Sequence, residues 1–359
     1  MSHPYAGRPD HCFWRSLPTE NWAALEPALP AGFTIAPRDR VATAGSCFAQ
    51  HLNRRLAERG TPVLTAEPAH PMLHPAYAEQ NGYGLFSARY GNIYTFRQLL
   101  ELAEQAFGLR PPIHDHVMDG GKAYDLLRPR MQAESGFFCI EEARADREYH
   151  LTRVRAMFET LDVFIFTVGL TETWINRAQG HCYPACPGTV RGVYDPQLHA
   201  PVNLSHAACA ADLDRFLAIL RDANPAARVI LTVSPVALVA THQDQHVLVA
   251  TTHSKSALRS VCGEAAAAVD AVAYFPSYEI IASAASRGMY LQPDLREVTP
   301  EGVDHVMRCF FAAFGGAPAA PTRAQPAADA DRQRSDLARR LVEADCDEMF
   351  NDVPLAGST

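Results

Sequence analysis

The stretch LDVFIFTVGLTETW, residues 161–174, decides the fold, because a continuous apolar run that ends in glycine and polar side chains is typical of a strand buried on both faces. AARVILTVSPVAL, residues 226–238, repeats this form after the helical pattern ADLDRFLAILRDANP. VAYFPSYEII, residues 272–281, is a weaker third example, and RVATAGSCFA, residues 40–49, is a short strand that enters a turn and a helix. Strands that alternate with helices predict an α/β fold of three layers, α/β/α, with a mostly parallel central sheet.

The composition of the chain suggests four segments. Residues 1–40 are irregular and rich in proline and aromatic residues, so we interpret them as an N-terminal extension of the main domain, 41–316. Residues 317–333 have the composition of an Ala/Pro-rich linker, and residues 334–359 predict a short helical tail. Within the domain, a helix is expected from an N-cap at Thr95 to a glycine near 108, and another over 300–314.

Charge, hydropathy and the absence of certain motifs argue against several partners, cofactors and locations. The formal net charge of the 359 residues is −8, which argues against nucleic acid. No window of about 18 apolar residues and no leader pattern is visible, so we expect no membrane span and a cytoplasmic location. No glycine-rich phosphate loop is present, so a transferase that uses a nucleotide-sugar or a phosphate donor ranks last among the possible functions, and we expect no cofactor. His181, Cys182 and Cys186 offer three metal ligands where structural zinc needs four, so we expect a loop and no metal.

Polar clusters follow the predicted strands. They are Gly45-Ser46-Cys47, residues 169–172 (Gly-Leu-Thr-Glu), Ser234-Pro235 and the segment around Asp294. Because ligands bind beyond the carboxyl ends of parallel strands, we expect a site where these clusters meet.

Ser46 has two interpretations. A serine between a strand and a helix exposes its Oγ at the edge of the sheet, with its own N–H near a developing oxyanion, as a nucleophile requires. The same position is also a common one for a serine that caps a helix.

Several strings together resemble one family. GSCFA at 45–49 looks like the signature of the GSCFA family, and other segments agree with it: ARYGNIYTFRQLL at 88–100, TVGLTETW at 167–174, TVSPVAL at 232–238, SKSALR at 254–259 and YFPSYEII at 274–281. That family is similar to the SGNH or GDSL hydrolases, α/β/α esterases, lipases and acyltransferases with a serine nucleophile. The resemblance implies the same fold and an acyl-serine chemistry for this chain.

The resemblance also implies roles for individual residues. Ser46 matches the nucleophile, and Gly91 the second-block glycine that donates to the oxyanion, with Asn92 beside it as a further donor. Gly169 and Thr171 stand in the loop that carries the oxyanion asparagine in SGNH enzymes. Asp294 matches the aspartate of their Asp-x-x-His block, but Glu297 stands where the histidine is expected.

The sequence therefore does not identify the residue that takes the proton from Ser46. His305 ranks first because it follows Asp294 on the last helix, and His246 ranks second, ahead of His242 and His253 in the same segment. Any of these histidines is also compatible with a packing or surface position. A serine–lysine pair with Lys255 is a further interpretation, although a lysine at the start of a helix is usually solvated.

Two more residues have both a site and a structural interpretation. Glu172 fits either an active-face carboxylate or an acidic residue in the first turn of a helix. Trp174 fits either a stacking wall for a sugar ring or a buried core residue.

We therefore expect a serine ester hydrolase or O-acyltransferase that acts, through an acyl-serine intermediate, on a small or glycan-linked acyl ester. The alternative is a non-catalytic carbohydrate- or acyl-binding module on a degenerate SGNH scaffold. The sequence leaves the acyl group, the acceptor and the oligomeric state open.

Overall fold

A parallel four-stranded sheet forms the centre of the fold. The computed structural model describes residues 3–18, 20–25, 32–131 and 136–315. The strands are β1 (Val41–Gly45), β2 (His116–Asp119), β3 (Lys122–Asp125), β4 (Val163–Val168), β5 (Glu172–Asn176), β6 (Cys182–Tyr183), β7 (His199–Asn203), β8 (Arg228–Val233) and β9 (Val272–Phe275). The helices are α1 (Cys47–Glu58), α2 (Pro75–Gln80), α3 (Phe96–Ala106), α4 (Ile140–Thr160), α5 (His206–Ala223), α6 (Val247–Ala268), α7 (Ser277–Ala282) and α8 (Pro300–Phe314).

The apolar run at 163–168 forms β4 in the interior of this sheet, and all six of its residues are buried, as predicted. The strand order is β1-β4-β8-β9, and every neighbouring pair is parallel. Val163 pairs with Val41 on one side and Arg228 on the other, so β1, β4 and β8 end together at the same edge.

Alternate residues of the strands face two separate cores. On one face Phe164 and Phe166 pack with apolar residues of α3, α4, α5 and α6. On the other face Val163 and Ile165 pack with residues of α1, α7 and α8. Helices on both faces of a parallel sheet make three layers, which confirms the predicted α/β/α fold.

Two smaller sheets were not predicted from the sequence. β2 and β3 form an antiparallel hairpin, and β5 pairs antiparallel with both β6 and β7. The second of these sheets begins three residues after β4 ends, so it stands directly beyond the carboxyl edge of the central sheet.

The helix ends follow the predicted signals. Thr95 and Gln98 form a capping box at the start of α3, and α8 covers the predicted residues 300–314. Trp22, in the N-terminal segment, is buried in the second core and donates its indole N–H to the Ile280 carbonyl at 2.9 Å. The predicted linker and tail, 317–359, lie outside the described residues. No helix in the described ranges is long and apolar enough to cross a membrane.

Candidate functional site

Gly45 brings Ser46 against the neighbouring strand. The φ of Gly45 is +139°, and a Cβ at this position would lie 2.3 Å from the Thr167 carbonyl oxygen. The next amide, that of Ser46, donates to the same carbonyl at 3.0 Å, and the Ser46 carbonyl accepts from the Ala49 amide at 2.8 Å. Ser46 therefore joins the end of β1 directly to the first turn of α1.

The hydroxyl of Ser46 does not cap the helix. Ser46 is the N-cap residue of α1, but its side chain makes no capping hydrogen bond. The side chain is 2% exposed, and Oγ has no hydrogen-bond partner among the residues that the structure describes. An N-cap serine normally satisfies a backbone N–H of the first turn. Here the Oγ remains available for chemistry.

Ser46 lines a cavity of about 200 Å³, called the Ser46 cavity below, at the carboxyl ends of the strands. All four clusters that the sequence places beyond strands contribute to its lining: Ser46 and Cys47 after β1, Gly169 and Glu172 after β4, Ser234 after β8, and Arg296 near Asp294. The cavity therefore lies where the topology of a parallel sheet favours a ligand site.

An apolar loop covers this cavity. Residues 236–240 (Val-Ala-Leu-Val-Ala) line it, together with Trp174 and Val202 of the small antiparallel sheet. The carboxylate of Glu172 fixes the loop: Oε1 accepts from Thr241 Oγ1 at 2.6 Å and Oε2 from the His242 amide at 3.2 Å. Glu172 thus begins strand β5, and its interpretation as a residue in the first turn of a helix is wrong.

Trp174 and His242 form the aromatic part of the lining. Their ring centroids are 5.2 Å apart with the ring planes nearly perpendicular. Trp174 is half-buried and His242 is exposed, so both stand where the cavity meets solvent.

The backbone amides of the loop after β4 hold the loop in place by hydrogen bonds to two other segments. The amides of Gly169 and Leu170 donate to the Tyr94 carbonyl at 2.9 and 3.0 Å, and the Thr171 amide donates to Ser254 Oγ at 3.0 Å. These amides are therefore engaged within the protein. Thr171 Oγ1 has no partner among the described residues, but Thr171 is not among the residues that line the Ser46 cavity.

Gly91 and Asn92 lie beside this cavity and not in its lining. Gly91 has φ +69° and lines a smaller neighbouring cavity with Asn92. The Asn92 side chain accepts from Gln50 Nε2 at 3.2 Å and donates to the Tyr94 hydroxyl at 3.0 Å. Asn92 contacts a residue of the Ser46 cavity, Tyr94, through this second bond.

Asp294 builds a turn that presents Arg296. Asp294 is exposed, and its Oδ1 accepts from the amides of Arg296 and Glu297 at 3.0 and 3.1 Å. Arg296 lines the Ser46 cavity, whereas Asp294 and Glu297 do not. This loop, which corresponds to the Asp-x-x-His block but carries Glu297 in place of the histidine, therefore contributes the guanidinium of Arg296 to the cavity.

The structure does not bring His305 or His246 to Ser46. His305 is 1% exposed, with its ring stacked on Tyr290 at 5.0 Å and its Nδ1 2.9 Å from Arg308 Nη2. His246 is exposed and caps α6, because its Nδ1 accepts from the Leu248 amide at 3.1 Å. Neither lines the cavity, because one packs within the second core and the other ends a surface loop.

Lys255, by contrast, lies in this site. We expected a solvated lysine at a helix start, and this is wrong: α6 begins at Val247, and Lys255 is 1% exposed within it. Its Nζ donates to the Gly169 carbonyl at 2.8 Å. Burial lowers the pKa of Lys255 to about 7; nearby Cys47 opposes this change and Arg296 adds to it.

A sequence signal for this position exists in the helical period. Ala250, Ser254, Leu258 and Val261 are buried at spacings of three and four, and Lys255 is adjacent to that stripe. If 247–268 had been recognised as one helix, its period would have predicted that Lys255 faces the interior.

Cys182 and Cys186 are buried free thiols, and His181 Nε2 lies 3.1 Å from Asp115 Oδ2. Within the described part of the chain, no group of three or more His, Cys, Asp or Glu residues is arranged to hold a metal ion.

Comparison with known proteins gives one match. No curated protein and no solved structure matches the chain. The family model of the GSCFA family matches residues 40–310, which include the central sheet, both helical layers and every residue of the Ser46 cavity. The chain belongs to the GSCFA family.

Proposed function

We propose that the protein is a serine-dependent ester hydrolase or O-acyltransferase that forms an acyl-Ser46 intermediate. The observation that carries this proposal is the Ser46 hydroxyl itself, which is buried, lines the cavity and has no hydrogen-bond partner among the described residues. A buried hydroxyl without a partner costs about 1–3 kcal/mol, so a functional reason is needed to keep it. A bound ester that meets this oxygen supplies that reason.

The chemistry follows from the position of Ser46. Its Oγ bonds to the ester carbonyl carbon, and the carbonyl electron pair moves to oxygen. The oxyanion then expels the alcohol, which leaves the acyl group on Ser46. Water or a hydroxyl group of a second substrate attacks this acyl-enzyme, and its identity separates hydrolysis from transfer.

The lining of the cavity favours an apolar acyl group. Val236, Leu238, Val239, Val202 and Trp174 all line the cavity, and the carboxylate in its described lining, that of Glu172, accepts hydrogen bonds from Thr241 and the His242 amide. Each methylene that enters such a lining gains about 0.8 kcal/mol. We therefore propose an acyl chain longer than acetyl, and place the alcohol part of the ester toward the open rim at His242.

A cation in the cavity also supports acyl chemistry. The guanidinium of Arg296 lines the cavity, so negative charge that develops on the carbonyl oxygen meets a positive group in a poorly solvated site. The amides of the loop after β4 donate to other groups of the protein, so Arg296 is our proposed source of oxyanion stabilisation.

A panel of p-nitrophenyl esters with acetyl, butanoyl, hexanoyl and octanoyl groups tests the proposal. We expect a burst of one equivalent of p-nitrophenolate from the wild type, higher kcat/KM for the longer chains, and neither with Ser46→Ala. Unchanged turnover by Ser46→Ala contradicts the proposal. Saturable binding of an unreactive ester analogue by both proteins, with no turnover by either, supports a non-catalytic acyl-binding module instead.

A further inference from the structure

The chain uses lysine at only two positions, although it contains 32 lysine and arginine residues. The two are Lys122 and Lys255. Lys122 is partly exposed and lies over the Phe138 ring, whereas Lys255 is 1% exposed and lines the Ser46 cavity. Arginine stays protonated in proteins, but a lysine amine can lose its proton. Of the two basic residue types, position 255 therefore carries the one whose side chain can lose its proton and then act as a base.

The surroundings of Lys255 offer it no carboxylate. In the part of the chain that the structure describes, the charged groups that act on Lys255 are Cys47 and Arg296 and include no carboxylate, and its hydrogen bond goes to the neutral Gly169 carbonyl at 2.8 Å. A charged amine that is buried without a counter-ion is costly, whereas a neutral amine is not. This environment favours the form of Lys255 that accepts protons.

The Gly169 carbonyl also fixes the place of the amine. A Cβ added to Gly169 would lie 3.4 Å from the Cβ of Ser46, so this glycine lies directly against the serine. Helix α6 holds the same loop a second time, through Ser254 Oγ and the Thr171 amide at 3.0 Å. Lys255 and Ser46 therefore both contact Gly169, and in this structure the Ser46 hydroxyl makes no hydrogen bond to Lys255 or to any other described residue.

We propose that Lys255 is the base that takes the proton from Ser46, in the place where the related hydrolases use a histidine. The proposal rests on the acyl-Ser46 function proposed above. A neutral amine keeps an N–H on the Gly169 carbonyl and directs its lone pair to the Ser46 hydroxyl.

Lys255 takes up and returns one proton in each half of the reaction. As Ser46 Oγ bonds to the carbonyl carbon, its proton passes to Lys255 Nζ and the carbonyl pair moves to oxygen. When the bond to the leaving alcohol breaks, the alkoxide takes that proton from the ammonium. In deacylation, water or the acceptor hydroxyl gives a proton to Lys255, and Ser46 Oγ takes it back.

Other titratable groups face the same space. They are Cys47 from α1, Tyr94 before α3, Glu172 of β5, Tyr183 and Cys186 of the 182–186 segment, His242 of the covering loop and Arg296. Burial lowers the pKa of Lys255 to about 7, and the guanidinium of Arg296 acts in the same direction. We therefore expect the reactivity of Ser46 to rise with pH through a single step near neutrality, where Lys255 becomes neutral.

The test is the rate constant for inactivation by a fluorophosphonate, measured from pH 5 to 9. Lys255→Met should lower it about 100- to 10,000-fold and remove the step, since general-base catalysis contributes a factor of that size. Lys255→Arg should lose as much, because it keeps the charge and cannot lose the proton. A wild-type rate in Lys255→Met, or a step that disappears in His242→Ala or Cys47→Ala instead, overturns the proposal.

An independent measurement needs no variant of Lys255. Protein with ¹³C at the lysine ε-carbons gives two lysine signals, and Lys122→Arg assigns them. We expect the Lys255 signal to titrate near neutrality and the Lys122 signal near the ordinary lysine value. Titration of Lys255 at that ordinary value overturns its role as base, even if Ser46 is labelled. If the wild type is not labelled at any pH and turns over no ester, the proposed function fails, and the base role with it.

Discussion

At the scale of single residues, the site depends on Gly45. It is the last residue of β1, and only a residue without a Cβ approaches the Thr167 carbonyl this closely. That approach places the following serine at the end of the sheet with its hydroxyl in the cavity. The tight turn that requires a residue without a Cβ is therefore also what places Ser46, our proposed nucleophile, in the cavity.

Gly45→Ala should lower the free energy of unfolding by about 3 kcal/mol or more, because the new Cβ would meet backbone atoms in a left-handed conformation. Gly84→Ala is the matched control: its φ is +81°, but a Cβ there meets open space. We expect the control to cost about 1 kcal/mol. Urea denaturation compares the two, and equal losses would show that the contact with Thr167 is unimportant.

Lys255→Met should stabilise the protein while it removes activity. The pKa of Lys255 is lowered from 10.5 to about 7 by burial, and each pKa unit corresponds to about 1.4 kcal/mol, so the cost of this lysine is on the order of several kcal/mol.

The sign of the pH dependence follows from proton binding. Between about pH 7 and 10.5 the unfolded chain binds more protons at this lysine than the folded one, so the wild type gains stability as pH rises. The advantage of Lys255→Met should be largest below pH 7 and shrink toward pH 10. An advantage that is constant over this range contradicts the lowered pKa.

At the scale of elements, a continuous apolar run or a helical period with clear end signals was predicted correctly. The strand at 163–168 and the helix at 300–314 are examples. Helix α6 was not recognised as one helix, and the small sheet of β5, β6 and β7 could not be predicted, because its short strands pair across loops and carry no alternation. Of the two interpretations of Glu172, the one that placed it in the first turn of a helix was therefore wrong.

The covering loop depends on Glu172. Glu172→Gln removes the charge that accepts from Thr241 Oγ1 and the His242 amide, and should loosen residues 236–243. We expect faster amide exchange at the His242 amide and a several-fold higher KM for hexanoyl and octanoyl esters, with a smaller change for acetyl. Thr241→Val, which removes one of the two bonds, should have an intermediate effect. Equal changes in KM for all chain lengths would show that the loop does not contact the acyl group.

At the scale of the whole molecule, a buried ionic cluster ties the hairpin to the helical layer. Asp125 of β3 is fully buried, 2.9 Å from Arg128 Nε and 3.3 Å from Arg147 Nη1 of α4. Although burial opposes ionisation, these two guanidinium groups lower the pKa of Asp125 below its usual value. The cluster therefore joins the hairpin to α4, two parts of the chain that no sequence pattern places together.

Asp125→Asn should cost about 3–5 kcal/mol at pH 7, because it leaves the buried guanidinium of Arg147 without its carboxylate and Arg128 with Asp146 as its remaining partner. A carboxylate with a lowered pKa stabilises the fold above its unfolded pKa of about 3.8, and this stabilisation is lost as the pH falls further. The difference between the wild type and the variant should therefore shrink below about pH 4. Chemical denaturation at pH 7, 5 and 3 measures it; a difference that grows toward acid pH contradicts the assignment.

The meeting of the polar clusters was predicted from the sequence, but the position of the candidate bases was not. The clusters after the strands line one cavity, because parallel strands end at one edge. Which candidate base lies at this cavity could not be predicted, since His305 and Lys255 differ in three-dimensional position and not in any local pattern. Lys255 turns inward through the packing of α6, and His305 packs on Tyr290 instead of facing the cavity.

The most direct test of a nucleophilic Ser46 is the site of covalent modification by a fluorophosphonate. Trypsin cuts after Arg40 and Arg54, so residues 41–54 form one peptide that contains both Ser46 and Cys47. We predict one adduct per chain by intact mass and fragment ions that assign it to Ser46, with no adduct in Ser46→Ala and a full adduct in Cys47→Ala. An unmodified wild-type protein, or an adduct on any other residue, would contradict an acyl-Ser46 mechanism.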